Sequence, residues 1–377
     1  MIPLRVLHVC PPADAVACEA AAVVGRWMAA EGHGVLAVAD QGDWTGGEVV
    51  LAARGPLGWF SRAGRRSRSR IQAFAPDLIQ VHGCAALRAG LRLQRRLRAP
   101  LVLWLHDEPP RRDAALLRDR RIAWVVAGSE HLRAAAAADL RVPRDHIALL
   151  PAACAAAQPG TRSVDGRLAV GIDAARHGER LLEDLAAGLA DLRRAGVSLR
   201  LVAVADGPRL RALRRGLGEL QFQVLAGGAG RTAALVQASD ILVHMPEREG
   251  HLLPVRQAMA MGRVAVVAGM GGAGELVRDG IDGRVVAPGN AESAVDAIRD
   301  LADAPVRRRQ GQAAAAAAGN WSVPVVGEAL IALYNTALGG GSVAQAATGS
   351  WCRRQTTRRH DPIGAGSADP SPEAGAP

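Results

Sequence analysis

The chain has 377 residues, 49% of them hydrophobic and 22% charged, which is enough apolar mass for two ordinary domains and too much for a disordered chain. Its net charge is +10, and all 46 basic residues are Arg. The lack of Lys excludes a Schiff-base or phosphate-loop lysine, and an aromatic content of 3% argues against stacking on single-stranded nucleic acid.

An apolar run at residues 4–9 reads as a buried strand. A helical pattern over 19–31 follows it, stops at Gly32, and gives way to a second strand at 35–39. Strand-like runs recur at 78–81, 101–105, 122–127 and 147–150, with helix-like stretches between several of them. Residues 154–166 lack a period and read as a linker. The alternation then restarts, with strands at 168–171, 199–204, 221–225, 241–244, 264–268 and 284–286. Helices are expected at 179–194, 209–217, 255–261, 291–301, 306–318 and 324–337, with Asn290 as an N-cap and Pro324 in a first turn. This pattern predicts two doubly wound parallel α/β halves. An N-terminal domain spans 1–155, a C-terminal domain spans 156–338, and a disordered basic tail covers 339–377. Ligands of such sheets bind beyond the carboxyl ends of the strands.

Cys10, Cys18, Cys84, Cys154 and Cys352 are odd in number and scattered, as expected for reduced thiols in a cytoplasmic protein with no zinc site. No run of eighteen apolar residues and no signal sequence is read. Residues 1–155 hold 21 Arg against 14 acids, so most of the excess charge lies there. One cluster is Arg62, Arg65, Arg66, Arg68 and Arg70, next to Trp59 and Phe60. The other is Arg88, Arg92, Arg95, Arg96 and Arg98. Both suit a peripheral contact with an anionic membrane at its inner face; without a binding motif, nucleic acid is not expected.

Segment 245–262 reads Met-Pro-Glu-Arg-Glu-Gly-His-Leu-Leu-Pro-Val-Arg-Gln-Ala-Met-Ala-Met-Gly. It leaves a strand and enters a helix at Pro254, and such a loop offers free backbone N–H groups to an anion. Glu249 in that loop suits a sugar or ribose hydroxyl. The segment resembles the donor-site signature of family-four glycosyltransferases, Glu-Gly-Phe-Gly-Leu-Pro-x-x-Glu-Ala-Met-Ala-x-Gly. The matching positions are Glu249, Gly250, Leu253, Pro254, Ala258, Met259, Ala260 and Gly262. Gly271-Gly272-Ala273-Gly274-Glu275-Leu276-Val277 is similar to the family's Gly-Gly-x-Pro-Glu-x-Val, and Pro288-Gly289-Asn290 to its closing Pro-Gly-Asp. Gly32-His33, Val81-His82-Gly83, His106-Asp107, Ser129-Glu130 and Asp206-Gly207-Pro208 fall in the family's order, so the resemblance spans about residues 4–338.

The resemblance implies the GT-B architecture, two Rossmann-like domains facing a cleft. It also implies transfer of a sugar from a nucleoside diphosphate-sugar with retention, to a glycan, lipid-linked or small-molecule acceptor, with no cofactor and no metal. Its site residues would be Glu249 and His106 at the reacting centre. Gly250, His251, Leu252, Leu253, Gln257, Arg176, His177, Gly271 and Gly272 would lie around the donor. The chain departs from the family at Gln257, where a second Glu is usual, and at Ile172 and His177, where the family has Arg and Lys. Arg176 is the nearest replacement cation, and Gln257→Glu is expected to keep or raise turnover. A catalytically degenerate binding protein is the alternative. An oxidoreductase built on Gly269-x-Gly271-x-x-Gly274 is a third reading, but no acidic residue ends a strand about twenty residues later, as a dinucleotide ribose would need.

Overall fold

The computed structural model describes residues 2–11, 14–39, 48–51, 62–110, 113–138, 142–154, 166–205, 207–218, 222–225, 231–247 and 250–339. Glu249, Trp59, Phe60, most of the expected linker and the expected tail lie outside the described residues.

The first half runs β1 (Arg5–Val9), α1 (Ala15–Ala30), β2 (Gly34–Ala39), β3 (Glu48–Leu51), α2 (Arg62–Phe74), β4 (Leu78–His82), α3 (Cys84–Leu97), β5 (Leu101–Leu105), α4 (Ala114–Leu117), β6 (Ile122–Ala127), α5 (Glu130–Ala138) and β7 (Ile147–Leu149). Its seven parallel strands lie in the order β3-β2-β1-β4-β5-β6-β7. The second half runs β8 (Leu168–Asp173), α6 (Glu179–Arg194), β9 (Leu199–Val204), α7 (Gly207–Leu217), β10 (Phe222–Leu225), α8 (Arg231–Gln237), β11 (Ile241–His244), α9 (Leu253–Ala260), β12 (Val264–Ala268), α10 (Gly271–Leu276), β13 (Gly283–Val286), α11 (Ala291–Leu301), α12 (Ala304–Ala318) and α13 (Val323–Gly339). Its six parallel strands lie in the order β10-β9-β8-β11-β12-β13.

The central strands are covered on both faces, so they are almost wholly apolar; β4, β5, β8, β11 and β12 are buried throughout. β3 escaped the sequence reading because it is a four-residue edge strand beside a Gly-rich stretch. Asn290 caps α11 as expected, accepting the Ser293 N–H at 3.0 Å.

One hydrophobic cluster joins the two halves. It takes Val6, Trp104 and Val126 from the first sheet, Val255 and Met259 from α9, and Leu330 and Tyr334 from α13. α13 lies back on the first half: Gly327 sits so close to Trp27 of α1 that a Cβ there would fall 2.3 Å from the indole ring. The Tyr334 hydroxyl donates to Gln80 Oε1 of β4 at 2.9 Å. The last helix therefore closes the first sheet, and the carboxyl edges of both sheets meet at one boundary.

Candidate active site

Each functional side chain at that boundary follows the carboxyl end of a strand. From the first half come Asp14 after β1, His106 directly after β5, and Gly128 after β6. From the second come Arg176 and His177 after β8, Gly250 and His251 after β11, and Gly271 after β12. Parallel strands deliver the loops that follow them to one edge, which is why residues 237 positions apart touch here.

Among the described residues, several polar links cross the boundary. His251 Nε2 and Asp14 Oδ2 are 3.0 Å apart, while the other Asp14 oxygen caps α1 by accepting the Ala17 N–H at 3.1 Å. Gln257 Nε2 donates to Glu19 Oε1 at 2.7 Å. A buried guanidinium, Arg256, donates to the Gly128 carbonyl at 2.8 Å. The Glu275 carboxylate accepts the Glu130 and His131 N–H groups, each at 2.9 Å, at the first turn of α5. Beside these links the His106 and His251 rings stack at 5.0 Å between centroids. The cavity between His106, Gly128, His251, Leu252 and Arg256 is about 10 Å³, room for one water at most.

Burial alone would raise the Asp14 carboxyl, but the His251 hydrogen bond, the Ala17 N–H and the attraction of Arg176 hold it below the usual carboxylate range. Asp107 moves the other way, raised mainly by burial. His106 is held well below the ordinary imidazole value, first by burial and then by His251. The site thus pairs an ionised carboxylate with a neutral imidazole.

The residues singled out in the sequence divide clearly. His106, His251 and Leu252 line one cavity, Gln257 reaches across to α1, and Gly272 lines a second small cavity with Gly128, Arg256 and Glu275. Leu253 opens α9 and is buried in the shared core. His177 does not stand in for a lysine. Met245 N–H donates to its Nε2 at 2.9 Å, so its Nδ1–H donates to the Asp173 carbonyl at 2.8 Å, and burial lowers its pKa. Nδ1 ties the loop to the end of β8, and Nε2 ties it to the residue after β11. Ile172 is fully buried in the second core. Arg176 does turn inward: a Cβ on Gly250 would lie 2.9 Å from its NH1, and its charge is felt by Asp14, Asp107 and His244. Sequence reasoning missed Asp14, Glu19, Arg256 and the interdomain role of Glu275. It gave His8 no site role and named His82 only within the Val81-His82-Gly83 match, although both sit on strands leading to this edge.

A model of Glycosyltransferase Family 4 matches residues 21–154, and one of Glycosyl transferases group 1 matches residues 174–304. The chain belongs to the family-four glycosyltransferases. Its fold is GT-B. HepE from Anabaena, solved with UDP and glucose, superposes with a TM-score of 0.72 at 19% identity, over 88% of this chain and 100% of HepE. A glycosyltransferase from Rickettsia africae gives 0.70 at 14%, over 89% and 99%. A sucrose-phosphate synthase from Thermosynechococcus elongatus gives 0.70 at 15%, over 89% and 100%. No curated protein sequence matches the chain.

In this glycosyltransferase the Gln257–Glu19 bond sets a stability expectation for Gln257→Glu beside the one for turnover. A carboxylate there would face Glu19 across 2.7 Å, and repulsion would part the two halves. Gln257→Glu should lower the thermal midpoint at pH 7. Adding Glu19→Gln should recover it, with a coupling of about 0.5–3 kcal/mol in a double-mutant cycle. The buried imidazoles set a second expectation. His8, His82, His106, His177 and His244 all have lowered pKa values, with burial the main cause. In the unfolded chain each binds a proton below about pH 6.5, so stability should fall as the pH drops through that value. Urea midpoints at pH 7.5 and 5 measure it; an unchanged midpoint would contradict it.

Proposed function

We propose that this glycosyltransferase moves a sugar from a nucleoside diphosphate-sugar to a glycan, lipid-linked or small-molecule hydroxyl, with retention and without a metal. The observation that carries the reading is Arg176 beside Gly250, at the carboxyl edge of the second sheet. A departing diphosphate needs positive charge, and with Ile172 in the core and both His177 nitrogens bonded to backbone, Arg176 is the cation the loop after β8 offers. The donor class is supported by HepE, whose structures hold UDP and UDP-glucose. Among the described residues no group of three His, Cys, Asp or Glu is set to hold a metal ion. In this reading the donor binds at the boundary that the Asp14–His251 and Gln257–Glu19 contacts cross. In this reading Glu249 contacts the donor sugar and His106 lies at the reacting centre. The cytoplasm is the compartment, with α3 against an anionic membrane: Arg88, Arg92 and Arg95 are exposed at helical spacing on that element.

A second reading, a nucleotide-sugar binding protein without turnover, is favoured by the amide at Gln257 and the lost cations at Ile172 and His177. Millimolar UDP, GDP or ADP, free and as sugar conjugates, separates the two. The enzyme reading expects a raised thermal midpoint and product formation. Arg176→Ala should weaken diphosphate binding about tenfold to a hundredfold. Glu249→Ala should abolish turnover. Binding without product in the wild-type chain favours the second reading, and no shift with any nucleotide sinks both. For the membrane contact, co-flotation with anionic vesicles should drop about a hundredfold in Arg88→Glu/Arg92→Glu/Arg95→Glu, at about 1 kcal/mol per Arg. Equal flotation would remove the membrane from the proposal.

A further inference from the structure

Three strands of the first sheet each bring a histidine toward the same place. His8 is in β1, His82 ends β4, and His106 follows β5. These strands are neighbours, and the register aligns His8 with Gln80 and His82 with Trp104. Partners in register share a face, and so do residues two apart along a strand. His8, Gln80, His82, Trp104 and His106 therefore climb one face diagonally toward the cleft. Their rings meet: His8 Nδ1 and His82 Nε2 are 3.0 Å apart, and His82 Nδ1 and His106 Nε2 are 3.1 Å apart. The three planes are nearly parallel, at 17° and 6°, and Trp104 packs against both His82 and His106.

Burial keeps this row neutral: it lowers His8 to about 3 and holds His82 and His106 well below the ordinary imidazole value. The groups facing His106 are His82 from β4, His251 and Arg256 from the second half, Asp14 at the start of α1, and its neighbour Asp107. A neutral imidazole has one N–H and one acceptor nitrogen. If His82 donates through Nδ1 it must accept at Nε2, and the reverse also holds. Both N–H···N bonds therefore point the same way along the row. When they run outward, His106 carries its proton on Nδ1 and offers a donor. When they run inward, Nδ1 is an acceptor. His106 Nε2 is committed to His82 in both cases, which leaves Nδ1 for a ligand.

We propose that His82 and His8 are positioning residues that hold the His106 ring in place and fix which of its nitrogens carries the proton. The inference rests on the reading of His106 as a site residue, but its main test does not need turnover. Nitrogen-15 spectra of the full chain, labelled at histidine, report the tautomer and titration of each ring. In the wild-type chain His106 should show one tautomer and no titration between pH 5 and 8.

An Asn side chain puts a polar atom near the Nδ1 position of the histidine it replaces, and a Gln near Nε2. His82→Asn therefore keeps a partner for His106. His82→Gln keeps only the link to His8, so His106 should then populate both tautomers. His8→Leu, which cuts the row one ring deeper, should release the single tautomer while leaving the His82–His106 contact. It also serves if His82→Gln fails to fold.

Kinetically, kcat of His82→Gln should fall about tenfold or more, as for outer-shell partners of histidine ligands. Donor KM should be little changed, and His82→Asn should recover most of kcat. Identical His106 spectra in wild-type, His82→Gln and His8→Leu chains would overturn the proposal, as would equal loss of kcat in the Asn and Gln variants at equal thermal midpoints. If no nucleotide-sugar turns over, the proposed function fails while the spectra still decide this inference.

Discussion

Polar groups removed from water cost free energy unless they find partners, and at the boundary between the halves of this chain several find them across the cleft. Asp14 bears most of that constraint. One oxygen holds the first turn of α1 and the other holds His251, which stacks on His106. The Gln257–Glu19, Arg256–Gly128 and Glu275–α5 contacts repeat the arrangement at other depths. Each is a hydrogen bond that water could replace if the halves separated, so its net worth is about 0.5–1.5 kcal/mol, or up to about 3 where a charge takes part. The hydrophobic cluster shared by α1, α9 and α13 is the larger tie. Polar links at the mouth and an apolar hinge side behind them suit a cleft that opens at its rim.

Cation placement follows the same logic. A positive charge at residue 172 would lie inside the second core, and one at 177 would break two bonds to backbone. Arg176 reaches the cleft instead because Gly250 leaves it room. Of the 46 Arg, Arg176 in the loop after β8 and the buried Arg256 bring guanidinium groups to this edge. The large positive excess of the first half lies elsewhere, on the outer faces of α2 and α3.

Much of the fold was legible because buried parallel strands are continuous apolar runs, and β5, β11 and β12 have the predicted bounds or differ from them by nothing. Asn290 and Pro254 marked helix starts by local chemistry. Candidate residues were legible where a segment carried a family match, as in the run from Gly250 to Gln257 and at His106. Asp14 was invisible because its partner lies 237 residues away. The histidine row was overlooked for a similar reason. His8, His82 and His106 form a pattern only when the strand order β1-β4-β5 is known. Chain order gives no hint that β4, not β2, lies between β1 and β5.

In the proposed function the cleft receives a nucleoside diphosphate and Arg176 meets its charge. A crystal structure with UDP, GDP or ADP bound tests it most directly. Diphosphate oxygens should lie within hydrogen-bonding distance of the Arg176 guanidinium, with the two His177 nitrogens still on Asp173 and Met245. A diphosphate bound away from the cleft, or held by His177 with Arg176 turned to solvent, would contradict it.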